Sequence, residues 1–234
     1  MKRIVLTSSF AAVIDPSRDP NEPYTYTSED WNPATYEQAA STTEAISAYR
    51  ASKKLAELEA WNWVRSPESF NASGEKIDLT VFCPPLVFGP WVHPVESLSS
   101  VNASNQVLRD MVLGVTKDSI AAARFPTWVD VGDLALAHAE AAYLRPEASN
   151  KRFIVCSPEK FSYQLIAGII KEEFPELAEK VVLPPGGPPP DHIGLDGSPL
   201  SKELGIKYKS LRECVVAVVN QIRDEGVKEG LLVL

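Results

Sequence analysis

Glycine is absent from the first 73 residues of this 234-residue chain; the earliest is Gly74, and there are 12 in all. Turns that close around a phosphate at a helix N-terminus draw on glycine, because a residue without Cβ lets the ligand approach the backbone. No glycine-rich phosphate-binding turn is present. Cysteine is scarce as well. Cys83, Cys156 and Cys214 are widely spaced and odd in number, which argues against a disulfide framework and offers no metal-ligand spacing. They read as reduced structural thiols of a cytoplasmic protein. His93, His138 and His192 stand far apart without an HExxH-type grouping, so no metal site is expected. No apolar run approaches the ~20 residues a membrane helix needs. Basic residues are outnumbered, 23 Lys and Arg against 31 Asp and Glu, for a net charge of −8. That balance argues against nucleic acid or an anionic membrane as a main partner. It leaves room for a phosphorylated cofactor, which needs only a few local donors.

The N-terminus, "MKRIVLTSSFAAVIDP", has the basic start of a secretory signal, but Thr7, Ser8 and Ser9 interrupt its apolar run. "RIVLTSS" reads instead as a strand buried on both faces. The polar, proline-containing stretch from Asp15 to Gln38 reads as a long surface loop. A helix is expected across "STTEAISAYRASKKLAELEAWNWV", capped by Ser41 with Glu44. Ala48, Leu55, Leu58 and Trp61 are expected on its buried face. "IDLTVFCPPLVFGP" reads as a strand stopped by Pro84 and Pro85. A mixed helical pattern runs from Glu96 to Val115. Then come a short strand with a helix starting near Asp133, the strand "RFIVCS", and an amphipathic helix broken at Pro175. "LPPGGPPPD" is expected to be a loop. A single helical turn stopped by Gly205 and a final helix from Ser210 to Gly226 follow. Strands alternating with helices predict an α/β fold with a small parallel sheet and a smaller helix-rich lobe.

Within the long helix, Tyr49 and Lys53 are four residues apart and so share one face. An ammonium beside a phenol favours the phenolate and makes the phenol a usable acid or base near neutral pH. Alone the pair is a weak signal, since ordinary surface-helix packing produces it often. Its surroundings strengthen it. Ser9 ends a strand, and ligand sites in open α/β sheets form at the carboxyl ends of strands. A second strand ends at "CPPLVFGP", where Pro84 has no N–H.

"VLTSSFAAV", "YRASKKLAE", "PPLVFGP" and "WVDVGDLALAHAEA" together resemble the extended short-chain dehydrogenase/reductase family, nearest to fungal aldehyde/ketone reductases and plant dihydroflavonol reductases. "EDWNPATYEQA" is similar to the segment those enzymes carry before the catalytic helix. The resemblance implies the C-terminal part of a Rossmann-type parallel sheet. Residues 1–92 and 127–160 would belong to the dinucleotide-binding domain, and 93–126 and 161–234 to the substrate lobe. It implies Ser9, Tyr49 and Lys53 as catalytic residues. Tyr49, Lys53, Pro84, Leu86, Val87 and Ser104 are implied as cofactor contacts, and Phe10, whose plain reading is a core aromatic, as a substrate contact. The implied activity is reduction of a small aldehyde or ketone with NADP, or alternatively NAD, in a cytoplasmic protein with room for an oligomer.

The chain departs from the family pattern in its missing glycine-rich turn and in lacking the residue that would choose between NAD and NADP. This leads to the expectation of an incomplete copy of a longer protein, with an open apolar edge on its first strand. Two other functions stay open at this point: a nucleotide-sugar epimerase or dehydratase, which shares Ser, Tyr and Lys, and a non-catalytic binding or dimerisation module.

Overall fold

The computed structural model describes residues 1–19, 22–115, 123, 125–182 and 193–233. The loop expected at 183–191 lies outside them, as does His192. The chain divides into two compact units. The first comprises Met1–Pro85, Asp133–Pro158 and His192–Lys207; the second comprises Leu86–Gly132, Glu159–Asp191 and Tyr208–Leu234. These bounds differ from the expected ones. Residues 86–92, 127–132 and 159–160 fall in the second unit, and 192–207 in the first. Short strand pairings, described below, account for much of the difference.

The first unit is built on three parallel strands, β1 (Arg3–Thr7), β3 (Asp78–Cys83) and β6 (Lys151–Ile154), in the order β1-β3-β6. Val5 stands opposite Thr80, and Cys83 opposite Ile154. β3 is the central strand and is buried from Leu79 to Cys83, as its unbroken apolar run requires. The expectation of a strand buried on both faces fails for β1. It lies at the sheet edge and four of its five residues are only half-buried, because among the described residues it pairs with β3 alone. Arg3 ties β1 into the unit through Asp78 and the carbonyls of Ala141 and Arg145. These carbonyls belong to the turns at and after the end of α4 (Val131–Ala139), which runs into a π-helical turn at Glu140–Leu144.

The segment expected to be one long loop holds two elements. β2 (Tyr24–Tyr26) pairs in parallel with β7 (Ile193–Leu195), which brings residues 193–207 into this unit. α1 (Tyr36–Ser41) is closed by a capping box between Thr35 and Gln38. The box therefore sits here, six residues earlier than Ser41, whose hydroxyl instead bonds the carbonyl of Glu37. The long helix, α2, runs from Ala45 to Arg65. Its buried residues are Ala51, Glu57, Trp61 and Val64, so only Trp61 of the expected face is fully buried. The helix turns its one buried carboxylate inward, which an apolar-periodicity argument cannot anticipate. α6 (Ser198–Leu204) ends on Gly205 in the left-handed conformation, as expected.

In the second unit, β4 (Leu86–Phe88) pairs in parallel with β5 (Trp128–Asp130). β3 ends at Cys83, directly before Pro84 and Pro85, as expected, and the residues after the two prolines form a further strand, β4. α3 (Ala103–Leu113), α5 (Tyr163–Glu173) and α7 (Leu211–Lys228) pack around these strands. Phe88, Trp128, Phe161, Leu108, Ile170 and Val218 are among the buried side chains of their shared apolar cluster. α5 stops before Pro175, which opens a 3-10 turn. α7 is capped by Ser210 but continues past Gly226. Gly226 is buried within the helix because Leu232 folds over it; a Cβ there would lie 2.9 Å from the Leu232 Cδ1.

Gly197 and Gly194 provide a paired test of the β7–α6 connection. A Cβ on Gly197 would meet the Cys156 carbonyl oxygen at 2.4 Å, whereas one on Gly194 meets Thr25 at an ordinary 3.5 Å. Gly197→Ala is expected to cost about 1–3 kcal/mol, the usual range for forced overpacking, and Gly194→Ala much less. Urea denaturation of the two variants checks this.

Candidate active site

The carboxyl end of β1 carries the sequence-predicted residues on consecutive positions. Ser8 N–H donates to the Phe82 carbonyl at 2.8 Å and Phe10 N–H to the Pro84 carbonyl at 2.9 Å. The chain thus keeps pairing with the β3 end beyond both strands. Ser9 is extended (φ −160°, ψ 154°) and caps the 3-10 turn Phe10–Ala12, its Oγ accepting from Ala11 N–H at 3.1 Å. That bond orients the hydroxyl and leaves its proton for another acceptor.

α2 packs against this turn. Lys53 Nζ donates to the Thr7 carbonyl at 3.2 Å, so its ammonium stands two residues from Ser9 along the chain. Tyr49 lies one turn earlier on α2; it is 54% exposed, and no described residue bonds its hydroxyl. Thr7 is held on its other side by His138. In the neutral ring Nδ1–H donates to the Leu134 carbonyl at 2.8 Å, so Nε2 accepts from the Thr7 hydroxyl at 2.7 Å. Ser9, Phe10, Lys53 and Pro84 are therefore gathered at one strand end, with Tyr49 a turn away on the same helix. Leu86 and Val87 lie on β4 and Ser104 in the first turn of α3, all three in the second unit.

No protein-family profile matches the chain. Individual proteins do. It is 38% identical to an uncharacterized oxidoreductase of Schizosaccharomyces pombe and 37% identical to the ketoreductase azaE of Aspergillus niger. Each match covers 97% of this chain and 64% of the relative. The fold superimposes on yeast methylglyoxal/isovaleraldehyde reductase Gre2, solved as its NADPH complex, with a TM-score of 0.81. That match is 32% identical and covers 99% of this chain and 65% of Gre2. This chain belongs to the extended short-chain dehydrogenase/reductase family. It spans a little under two thirds of the length of the curated relatives it matches.

In this short-chain dehydrogenase/reductase chain the sequence reading passed over the residues beneath the strand end. Ser8, Glu57 and Arg152 form a buried node. The Glu57 carboxylate, 1% exposed, accepts from the Ser8 hydroxyl at 2.5 Å, Arg152 Nε at 2.6 Å and Trp61 Nε1 at 3.2 Å. Arg152 also donates to the carbonyls of Ser28, Asp30 and Ala12 and lies 3.9 Å over the Trp31 ring. With its second bond to Glu57, each of the five guanidinium N–H donors has an acceptor. A signal was available: a Glu one turn beyond Lys53, on a helix whose neighbours are apolar.

Cys83 borders the node, with Sγ 3.6 Å from Glu57. Burial pushes its thiol up to about 12 from an ordinary 9.0. All three cysteines are buried thiols outside any disulfide.

Two outcomes are expected. Arg152→Ala leaves Glu57 buried without its counter-charge and should cost about 3–5 kcal/mol in urea denaturation. For Cys83, the folded thiol stays protonated where the unfolded one ionises. Its stabilising contribution is fully present below pH 9 and lost as pH rises toward 12. Wild type should lose more stability across that window than Cys83→Ala, and native Cys83 should resist aromatic disulfide reagents at pH 8.

Proposed function

We propose that the protein is an NADP-linked reductase of small aldehydes or ketones. The observation that carries the reading is the convergence of Ser9 and Lys53 on the last residues of β1, with Tyr49 one turn along α2. The names of Gre2, an NADPH-dependent methylglyoxal reductase, and of the ketoreductase azaE point the same way. Buried cysteines without a disulfide suit a reducing, cytoplasmic setting.

The donor set fits the nicotinamide and ribose end of such a cofactor. Lys53 spends one of its three N–H donors on Thr7, which leaves two for ribose hydroxyls. Pro84 supplies a flat, apolar contact for a ring, and Leu86, Val87 and Ser104 are further cofactor contacts only by resemblance to the family. The diphosphate end fits less well, since the first 73 residues hold no glycine for a close backbone approach. When bound, the cofactor supplies hydride to the carbonyl carbon. Ser9 donates its oriented O–H to the carbonyl oxygen and stabilises the charge that grows there. Tyr49 passes its phenolic proton to that oxygen as the general acid. Phe10, following Ser9, lines the substrate side.

The test uses the chain by itself and the chain preceded by the N-terminal third of the azaE ketoreductase. The chain by itself is expected to bind NADPH weakly by calorimetry. The fusion is expected to reduce methylglyoxal or a small ketone with NADPH. Tyr49→Phe in the fusion should lower turnover ~10²-fold or more, the scale of lost general acid catalysis, with cofactor affinity largely kept. Ser9→Ala should lower turnover as well. Unchanged turnover in Tyr49→Phe would end this assignment.

A further inference from the structure

We propose that Glu57 is a positioning residue, which sets the placement of Lys53 and Tyr49 on the end of β1 through Ser8. The inference rests on the reductase reading for its consequence in catalysis, but its geometry stands independently.

Tyr49, Lys53, Glu57 and Trp61 follow one another at four-residue intervals along α2. Each step advances the direction around the helix by ~40°, so the row winds gradually inward. Tyr49 is 54% exposed, Lys53 is half-buried, and Glu57 and Trp61 are buried. The two members at the solvent end carry the chemistry. The two at the buried end are tied to fixed points: Trp61 bonds Glu57, and Glu57 bonds Ser8 and Arg152.

Ser8 and Ser9 divide the work at the strand end. In an extended chain successive side chains point to opposite faces. Ser8, 5% exposed, turns its hydroxyl to Glu57, and Ser9 turns its own to the 3-10 turn. Glu57 on the helix therefore grips the residue adjacent to Ser9, while Lys53, one turn earlier, grips Thr7 on the other side of Ser8. Two bonds from one helix face to consecutive residues of one strand end leave little freedom to slide or roll. An apolar helix face tolerates small shifts along a sheet. A buried carboxylate does not, because a shift of even one ångström strips it of its donors. Placement to ~0.5 Å is the precision that reacting groups need, and this node provides a means of reaching it.

The test compares Ser8→Ala and Glu57→Gln. Ser8→Ala removes the link to the strand end and keeps the Glu57–Arg152 pair, so it is the variant that stays folded. Acetic anhydride labelling, read by mass spectrometry, gives the modification rate of Lys53 relative to exposed Lys202. In both variants that ratio should rise at least about threefold, the order expected when a hydrogen bond of a charged group is loosened. In the azaE fusion the same variants should lower kcat with little change in KM and displace the pH profile of kcat. A purely structural role predicts a lower melting temperature with the Lys53 ratio unchanged. An unchanged ratio in folded Ser8→Ala overturns the proposal, whatever Glu57→Gln does. The labelling result is independent of activity. If the fusion reduces no carbonyl, the reductase reading fails while the ratio still decides the positioning role.

Discussion

The first unit depends on one buried ion pair, Glu57 with Arg152. A carboxylate and a guanidinium withdrawn from water lose several kcal/mol of hydration each, and only close geometry with full hydrogen bonding repays that loss. Both conditions hold. The two groups meet at 2.6 Å, the guanidinium has an acceptor for every donor, and its face rests on an indole. The node joins α2, β6, the 3-10 turn after β1 and the segment through Ser28–Trp31 at one point. These pieces are distant in sequence, and removing either charge would disturb all of them together.

The strand end above the node takes its shape from the same bonds. Pairing with β3 continues through Ser8 and Phe10 after the regular ladder has ended, which holds Ser9 in an extended conformation between two anchored neighbours. Thr7 receives Lys53 on its carbonyl and His138 on its hydroxyl. Side chains from α2 and α4 thus meet on one residue. What looks in the sequence like a plain run of small polar residues is a junction where each member has a separate partner.

The second unit is organised differently. Its centre is an apolar cluster around α7 and the short β4–β5 pair. The buried Asp130 is bonded to Lys209 and to the Gly132 N–H, so polar groups there secure the edges of the cluster. An apolar centre of this kind is specified by volume and patterning and tolerates variation that preserves them. The node of the first unit has no such tolerance, because its terms are charge and direction.

The α/β alternation, the three parallel strands, the ends of α5 and α6, the cap of α7 and the Tyr49–Lys53 face were all legible in the sequence. Each is written locally, in apolar runs, proline and glycine positions, or a four-residue spacing. The β2–β7 and β4–β5 pairings, the true capping box at Thr35 and the burial of Glu57 were not. Strand order depends on which segments meet across the chain, and three-residue strands are too short to show a period. The capping box at Thr35 was obscured by a polar segment that reads as loop until its helix is seen. Glu57 is the clearest case. By itself it is a good helix former on a charged helix. Only the arrival of Arg152 from β6 and Ser8 from β1 makes its burial affordable, since a carboxylate enters a protein interior only where its donors are already in place.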